Sequence, residues 1–222
     1  MSILKNKKQY AVIGLGKFGG SVARTLNELG HEVLGIDIDE EKVQAYSNIL
    51  THVVIMDARD EESLYSLGLR NFDAVVVAIG EGVETNLFTT LILKEFGVAK
   101  IVVMANNHLH GRMLEKIGAD KIIYPDIDMG QRVAHNIASS SILDFVELDD
   151  NLSVVEFHAP RFIVGHTLAQ TRLRDEYEVN VVALKNKNGI QVPPSPHAII
   201  NADDVLILVG KNDGIRRLEA LV

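Results

Sequence analysis

The segment Tyr10-Ala11-Val12-Ile13-Gly14-Leu15-Gly16-Lys17-Phe18-Gly19 determines the fold of this 222-residue chain. An apolar run is followed at once by a G-x-G-x-x-G turn, and apolar residues at helical spacing begin at Phe18. A second apolar run, residues 32–36, ends in Asp37, about 20 residues after the turn. Strand, glycine turn, helix, strand and acid in this order are typical of a nucleotide-binding α/β unit. The alternative is a purely structural turn in another α/β protein.

Each residue of the turn has a physical role in such a site. Gly14 allows the tight turn, Gly16 lets the backbone approach a pyrophosphate, and Gly19 lets the helix pack close to the strand. The N-terminus of the helix directs free N–H groups and the positive end of its dipole at the phosphates. Asp37 can accept hydrogen bonds from both ribose hydroxyls, and its negative charge disfavours the 2′-phosphate of NADP.

Composition limits both the class of protein and its chemistry. The chain contains no cysteine, which excludes disulfides, thiolate catalysis and cysteine–zinc sites and favours a reducing cytosol. Its net charge of −8 argues against nucleic-acid binding through a broad basic surface. The N-terminus has no apolar signal-peptide core, and the longest apolar runs are of strand length. We therefore expect a soluble cytoplasmic protein with no transmembrane segment of its own.

Six apolar runs in the first part of the chain alternate with helical patterns. They are rich in Val and Ile, as expected of parallel strands buried on both faces: 10–13, 33–36, 53–56, 74–79, 101–104 and 121–124. The predicted fold class is α/β, a doubly wound parallel Rossmann-like sheet with a second, smaller α+β C-terminal lobe. In that lobe residues 153–158, 180–184 and 205–209 are predicted strands, and 214–221 a helix.

The segment between the two lobes has a different pattern. Apolar residues recur there at helical spacing: Met129, Val133, Ile137, Ile142, Phe145 and Val146. They predict a helix or a helical pair, interrupted at residues 139–141, that packs on another subunit. The predicted organisation is a nucleotide-binding lobe (1–125), a crossover helical segment (126–150) and a C-terminal lobe (151–222).

With these segments in order, the chain resembles the RCK (KTN) family. Within it, the resemblance is to the cytosolic regulatory subunits of bacterial Ktr/Trk potassium uptake systems, the KtrA type above all. It covers essentially the whole chain and rests on residues 11–20, 30–37, 78–80, 114–120 (LEKIGAD), 125–130 (PDIDMG) and 203–210 (DDVLILVG). The LEKIGAD and DMG segments are more specific than the glycine turn.

The resemblance implies a gating subunit without catalytic turnover. Members of the family form dimers that assemble into homo-oligomeric rings, typically octamers, under a membrane-embedded potassium-transporting subunit. ATP, ADP or NAD(H) binds the N-terminal lobe, and the identity of the nucleotide sets the shape of the ring and thereby the K⁺ flux. On this interpretation the protein is attached peripherally to the inner face of the cell membrane through its partner.

The resemblance also implies the residues of the nucleotide site. Lys17 stands where the family often has Arg and is expected to meet a terminal phosphate, without the bidentate fork of a guanidinium. Asp57 is expected to accept from the exocyclic amine of adenine. The complete predicted set is Gly14, Gly16, Lys17, Phe18, Gly19, Asp37, Asp39, Lys42, Asp57, Ala58 and Gly80.

Two further sites follow from the resemblance. Asp126 stands where similar proteins carry a glutamate that binds a cation between subunits, and either a divalent or a monovalent ion is possible; the alternative is a helix N-cap. Arg174, Asn180 and Pro196 match positions of a cyclic di-AMP site between paired C-terminal lobes. Alternatively, these three residues are ordinary surface groups that bind no ligand.

The rival class of protein is an enzyme. A short-chain dehydrogenase needs a Tyr-x-x-x-Lys pair, and none of the five tyrosines has a lysine four residues later. The open alternatives are an NAD(H)-linked redox sensor and a small NAD-dependent oxidoreductase. His108 and His110 lack a third ligand at a recognised spacing, so they are interpreted as exposed or capping residues rather than zinc ligands.

Overall fold

The computed structural model describes residues 7–139, 141–149 and 151–221. The chain divides into two compact units, Met1–Ile127 and Asp128–Val222. Within the described residues no helix combines the length and the apolar character needed to cross a bilayer.

The first unit alternates strands and helices. Its elements are β1 (Gln9–Ile13), α1 (Lys17–Glu28), β2 (Glu32–Asp37), α2 (Glu40–Tyr46), β3 (His52–Ile55), α3 (Glu61–Ser66), a 3₁₀ turn (Leu69–Asn71), β4 (Ala74–Val77), α4 (Val83–Glu95), β5 (Ile101–Met104), α5 (His108–Ile117) and β6 (Lys121–Ile123). The helix α6 (Pro125–Ala138) follows and contains the division between the units.

The six strands form one parallel sheet in the order β3-β2-β1-β4-β5-β6. Successive residues of β1 belong to different cores: Ala11 and Ile13 pack in one hydrophobic cluster and Val12 in another. Alternating residues that are all buried require helices on both faces of the sheet. The predicted doubly wound parallel sheet is therefore confirmed.

The strand order places a crevice in the middle of the sheet. From β1 the chain adds β2 and β3 on one side and then returns to add β4, β5 and β6 on the other. At such a reversal the loops after the two central strands, β1 and β4, diverge and leave an opening at their carboxyl ends.

The second unit contains an antiparallel sheet. Its elements are β7 (Ile142–Asp149), β8 (Leu152–His158), two 3₁₀ turns (Arg161–Ile163 and Leu168–Thr171), α7 (Leu173–Tyr177), β9 (Val179–Asn186), β10 (Gly189–Gln191), β11 (Val205–Lys211) and α8 (Asn212–Glu219). The strands lie in the order β10-β9-β11-β8-β7 around buried residues such as Phe157, Leu206 and Leu218. The predicted α+β lobe is confirmed.

The segment between the lobes departs from the prediction. Residues 126–138 are helical, but residues 142–149 form β7, paired antiparallel with β8, so the prediction of a second helix there was wrong. The register of β7 shifts between Ile142 and Asp144 and again between Glu147 and Asp149. Such irregularities insert extra residues into the period-two alternation. The resulting apolar spacing of three to four residues imitates a helix.

Candidate nucleotide-binding site

A cavity of about 540 Å³ opens at the carboxyl ends of the central strands of the first unit. Four segments line it, together with Lys42 of α2 and Thr85 of α4: the glycine turn, the end of β2, the β3 loop (residues 56–60) and the β4 loop (residues 78–82). Of the predicted residues, these line the cavity: Gly14, Gly16, Asp37, Lys42, Asp57, Ala58 and Gly80. The volume is in the range of ordinary small-molecule sites.

The three glycines of the turn are constrained differently. Gly14 has φ +96°, and a Cβ on it would lie 2.6 Å from the carbonyl oxygen of Ala78. A Cβ on Gly19 would lie 1.9 Å from the carbonyl oxygen of Gly14. A Cβ on Gly16 would meet nothing within 4 Å, although Gly16 lines the cavity. Packing therefore requires glycine at 14 and 19, whereas at 16 the space next to the backbone is left open toward the cavity.

Asp37 is a structural residue as well as a cavity residue. Its side chain is only 7% exposed. Its Oδ2 accepts from the backbone N–H of Leu15 at 2.7 Å, and its Oδ1 accepts from the N–H of Asp39 at 2.9 Å. The carboxylate thus fixes the glycine turn to the end of β2, a role that the sequence analysis missed. Each carboxylate oxygen can accept a second hydrogen bond, so both remain able to bind a ribose hydroxyl.

Of the residues that follow β2, Asp39 caps the helix α2 and Lys42 lines the cavity. Asp39 is the N-cap of α2, where its Oδ1 accepts from the N–H of Glu41 at 3.0 Å. Asp39 does not line the cavity, but Lys42 does, and the Nζ of Lys42 lies 3.4 Å from Asp39 and 3.9 Å from Asp37. A lysine in this position offsets the charge of the two carboxylates.

Besides Asp39, three of the predicted residues lie outside the lining of the cavity. Lys17 is the first residue of α1 and is exposed. Phe18 packs against the hydrophobic cluster that contains Val12, and Gly19 is buried under the turn. Of the three, Lys17 is the most exposed, and a phosphate could meet its side chain.

The β3 loop contains a fork of hydrogen bonds between two cavity residues. The Arg59 Nη2 donates to Asp57 Oδ2 at 2.7 Å, its Nε donates to Oδ1 at 3.1 Å and Oδ2 at 3.2 Å, and its backbone N–H donates to Oδ1 at 2.9 Å. Side-chain and then backbone hydrogen bonds from Arg59 lower the pKa of Asp57. Arg59 was not predicted from the sequence, because an arginine two residues after an aspartate does not by itself indicate that the two side chains form an ion pair.

Two side chains of α4 hold the walls of the cavity from behind. Asn86, which is fully buried, donates through Nδ2 to the carbonyl oxygens of Ile79 and Met104, both at 3.0 Å. The hydroxyl of Thr89, also fully buried, donates to the carbonyl oxygen of Ala58 at 3.0 Å. The β4 loop and the β3 loop are therefore both attached to the same helix.

The loop after β5 adds a further support. Asn106 donates through Nδ2 to the carbonyl oxygen of Gly80 at 2.8 Å, and its backbone N–H donates to His110 Nδ1 at 3.3 Å. His110 is 2% exposed, and burial lowers its pKa. The expectation of exposure was therefore wrong for His110, whose Nδ1 instead accepts from the backbone just before the N-cap of α5. His108 is exposed and packs against Tyr124.

The two additional predicted sites remain predictions. Asp126 is the second residue of α6 and is exposed. Across the described part of the chain there is no group of three or more His, Cys, Asp or Glu residues that could hold a metal ion. Arg174 on α7, Asn180 on β9 and Pro196 in the loop before β11 are all exposed residues of the second unit.

The family assignment follows from comparison with known proteins. The TrkA-N domain matches residues 10–125 and the TrkA-C domain matches residues 152–222. The chain belongs to this family of TrkA-N and TrkA-C domain proteins. The RCK assignment made from the sequence is thereby confirmed.

Particular relatives narrow the assignment. The chain is 48% identical to the Ktr system potassium uptake protein C of Bacillus subtilis over 97% of this chain and 98% of that protein. It is 43% identical to the Ktr system potassium uptake protein A of the same organism, over 99% and 98%. The crystal structure of the GsuK RCK domain has the same fold, with a TM-score of 0.70 at 15% identity, over 98% of this chain and 48% of that one. The chain therefore spans about half the length of that structural relative.

Proposed function

We propose that this protein is the regulatory subunit of a potassium uptake system and controls K⁺ flux through a membrane-embedded partner by binding an adenine nucleotide in its first unit. The observation that carries the proposal is the open space at Gly16, which lies in the cavity beside the start of α1. A pyrophosphate placed there would meet backbone N–H groups and the positive end of the α1 dipole. The chain is 48% identical to a Ktr potassium uptake protein, and this similarity supports potassium uptake as the process that it regulates.

ATP and ADP are the proposed physiological ligands, with NAD(H) as an alternative. Asp37 would hold the ribose through its remaining acceptor positions. Lys17 is exposed at the first turn of α1 and would meet the terminal phosphate, including that of a nucleotide bound by a neighbouring subunit. The charge of the γ-phosphate is then what distinguishes ATP from ADP.

The proposed assembly is a homo-oligomeric ring of dimers, an octamer, held in the cytoplasm at the inner face of the membrane by its partner. Several helices leave large apolar side chains exposed in the single chain. Phe88 and Leu91 on α4 are 51% and 40% exposed, Leu109 and Met113 on α5 are 56% and 43% exposed, and Ile137 on α6 is 79% exposed. Contacts between copies of the chain would remove this surface from water.

Nucleotide exchange can shift such a ring only if ATP and ADP prefer different states. A tenfold preference at one site is about 1.4 kcal/mol. Summed over the eight sites of an octamer it exceeds about 10 kcal/mol, which is enough to reverse a two-state equilibrium.

The proposed activity needs no catalytic turnover. Both aspartates of the cavity are engaged, Asp57 by Arg59 and Asp37 by two backbone N–H groups. Neither is therefore placed as a free general base. The alternative is an NAD(H)-linked redox sensor or a small oxidoreductase. Selective binding of NADH would distinguish it from the proposed regulatory subunit.

The test is equilibrium binding of ATP, ADP, NAD and NADH to the purified full chain, with the mass in solution recorded for each complex. We expect ATP and ADP to bind and to produce assemblies that differ in mass or shape. Selective NADH binding to a dimer that ignores ATP would favour the redox alternative. Addition of Mg²⁺, K⁺ and cyclic di-AMP in the same assay tests the sites predicted at Asp126 and at Arg174, Asn180 and Pro196.

A further inference from the structure

The nucleotide cavity occupies one half of the crevice in the first sheet. Its lining comes from the ends of β1, β2, β3 and β4, from the loops that follow them and from the first turns of α2 and α4. Within the part of the chain that the structure describes, no residue of the loops after β5 and β6 lines it. In a doubly wound sheet a dinucleotide lies across the crevice, with one nucleotide over each half of the sheet. The cavity therefore matches the half that holds the adenosine and its phosphates.

A hydrogen bond spans the border with the other half of the crevice. Gly80 lies in the loop after β4, and Asn106 lies in the loop after β5. The Nδ2 of Asn106 donates to the carbonyl oxygen of Gly80 at 2.8 Å, and Gly80 lines the cavity. A second nucleotide that extends from the phosphates toward β5 would pass over this bond. The side chain of Asn106 therefore lies between the cavity and the half of the crevice over β5 and β6.

The loop after β5 holds Asn106 in place independently of this bond. The backbone N–H of Asn106 donates to Nδ1 of the buried His110 at 3.3 Å. The next residue, Asn107, is the N-cap of α5, where its Oδ1 accepts from the N–H of His110 at 2.9 Å. Asn86 joins the ends of β4 and β5 from inside the unit. Because none of these contacts uses the side chain of Asn106, we expect the loop to keep its position when that side chain is removed.

We propose that Asn106 is a specificity-determining residue that favours ADP and ATP over NAD and NADH. This inference rests on the proposed nucleotide site. The side chain of Asn106 closes the cavity beyond the phosphates, and a mononucleotide leaves its bond to Gly80 intact. A dinucleotide must break that bond to place its nicotinamide riboside over β5. Water replaces the lost partners, so the penalty is the net contribution of one ordinary hydrogen bond.

The experiment measures the dissociation constants of ADP, ATP, NAD and NADH by calorimetry, for the purified full chain and for Asn106→Ala. NAD and NADH should bind Asn106→Ala roughly 2- to 12-fold more tightly than the wild type, the factor that corresponds to one hydrogen bond. ADP and ATP should change by less than about twofold, because neither disturbs the bond to Gly80. The readout is the ratio of NAD affinity to ADP affinity in each protein.

Asn107→Ala is the matched control. It removes the same amide from the same loop and uncaps α5, but it leaves the bond from Asn106 to Gly80 in place. Asn107→Ala should therefore keep the wild-type ratio of NAD affinity to ADP affinity. Thermal unfolding without ligand shows whether each variant is folded.

The possible outcomes separate this inference from the proposed nucleotide site. If ADP binds and the ratio is unchanged in Asn106→Ala, the inference is wrong and the nucleotide site stands. Weaker binding of NAD and NADH to Asn106→Ala would also overturn it, since Asn106 would then contact the nicotinamide half directly. An equal change of the ratio in Asn107→Ala would assign the effect to the stability of the loop and contradict the role of Asn106. If the wild type binds none of the four nucleotides, the proposed nucleotide site fails, and this inference with it.

Discussion

Gly16→Ala separates the requirements of the ligand from those of the fold. The backbone at Gly16 has φ −65° and ψ −170°, a conformation open to alanine. A Cβ there would meet nothing within 4 Å. We expect the free energy of unfolding to change by less than about 1 kcal/mol, because the lower entropy of the unfolded chain and the slightly poorer N-cap act in opposite directions.

The same methyl group would occupy the space where the phosphates approach the backbone. Loss of one charge-assisted hydrogen bond from a backbone N–H costs about 1.5 to 3 kcal/mol, or roughly 10- to 150-fold in Kd. The assay is calorimetric titration of ATP and ADP into the variant, together with denaturant unfolding of the free protein.

Two other glycines serve as controls. Gly19→Ala places a Cβ 1.9 Å from a backbone oxygen and should destabilise the fold by about 1 to 3 kcal/mol. Gly130→Ala, on α6, meets nothing within 4 Å and should keep the wild-type affinity. A Gly16→Ala protein that is folded and binds nucleotide as tightly as the wild type would refute the placement of the phosphates at this turn.

Three further predictions concern single side chains. Lys17→Ala should leave ADP affinity nearly intact and abolish any preference for ATP; titrations that show equal losses for both nucleotides would contradict this. Asp37→Ala should cost about 1 to 3 kcal/mol of stability, because the N–H of Leu15 loses its acceptor. It should also bind ATP and 2′-deoxy-ATP equally, and a remaining difference in titrations would place the ribose elsewhere. Burial lowers the pKa of His110 below 6.5 in the folded chain. Just below pH 6.5 the unfolded chain therefore binds a proton at this residue that the folded chain does not. Stability should therefore fall as the pH drops below 6.5, by up to about 1.4 kcal/mol per pH unit. Denaturant unfolding should show a smaller fall in His110→Gln and an unchanged one in His108→Gln.

Much of the first unit could be predicted because its signals are local in sequence. Buried parallel strands are continuous apolar runs, and the glycine turn is one hexapeptide between a strand and a helix. The turn and the acid at the end of β2 indicated the position of the cavity. The strand β7 was missed because two shifts of register conceal its alternation.

The contacts within the site could not be predicted, because they depend on distances between loops. The sequence indicates that Asp37 ends one strand and Asp57 follows another, and that both strands end at the same edge of the sheet. It does not indicate that Asp37 holds the N–H of Leu15 or that Arg59 closes on Asp57. Likewise, His110 has the local sequence of an exposed helix residue, and only the packing of the unit shows that it is buried.

The two hydrogen bonds from α4 to the walls of the cavity have a thermodynamic consequence. Asn86 and Thr89 attach this helix to the β4 loop and the β3 loop, while Phe88 and Leu91 of the same helix are exposed. If nucleotide binding moves either loop, the position of α4 changes with it. Linkage is reciprocal, so a partner bound to the exposed side chains of α4 must alter nucleotide affinity by the same factor by which the nucleotide alters the affinity for that partner. With that coupling, the nucleotide dissociation constant should change with protein concentration wherever copies of the chain meet through α4.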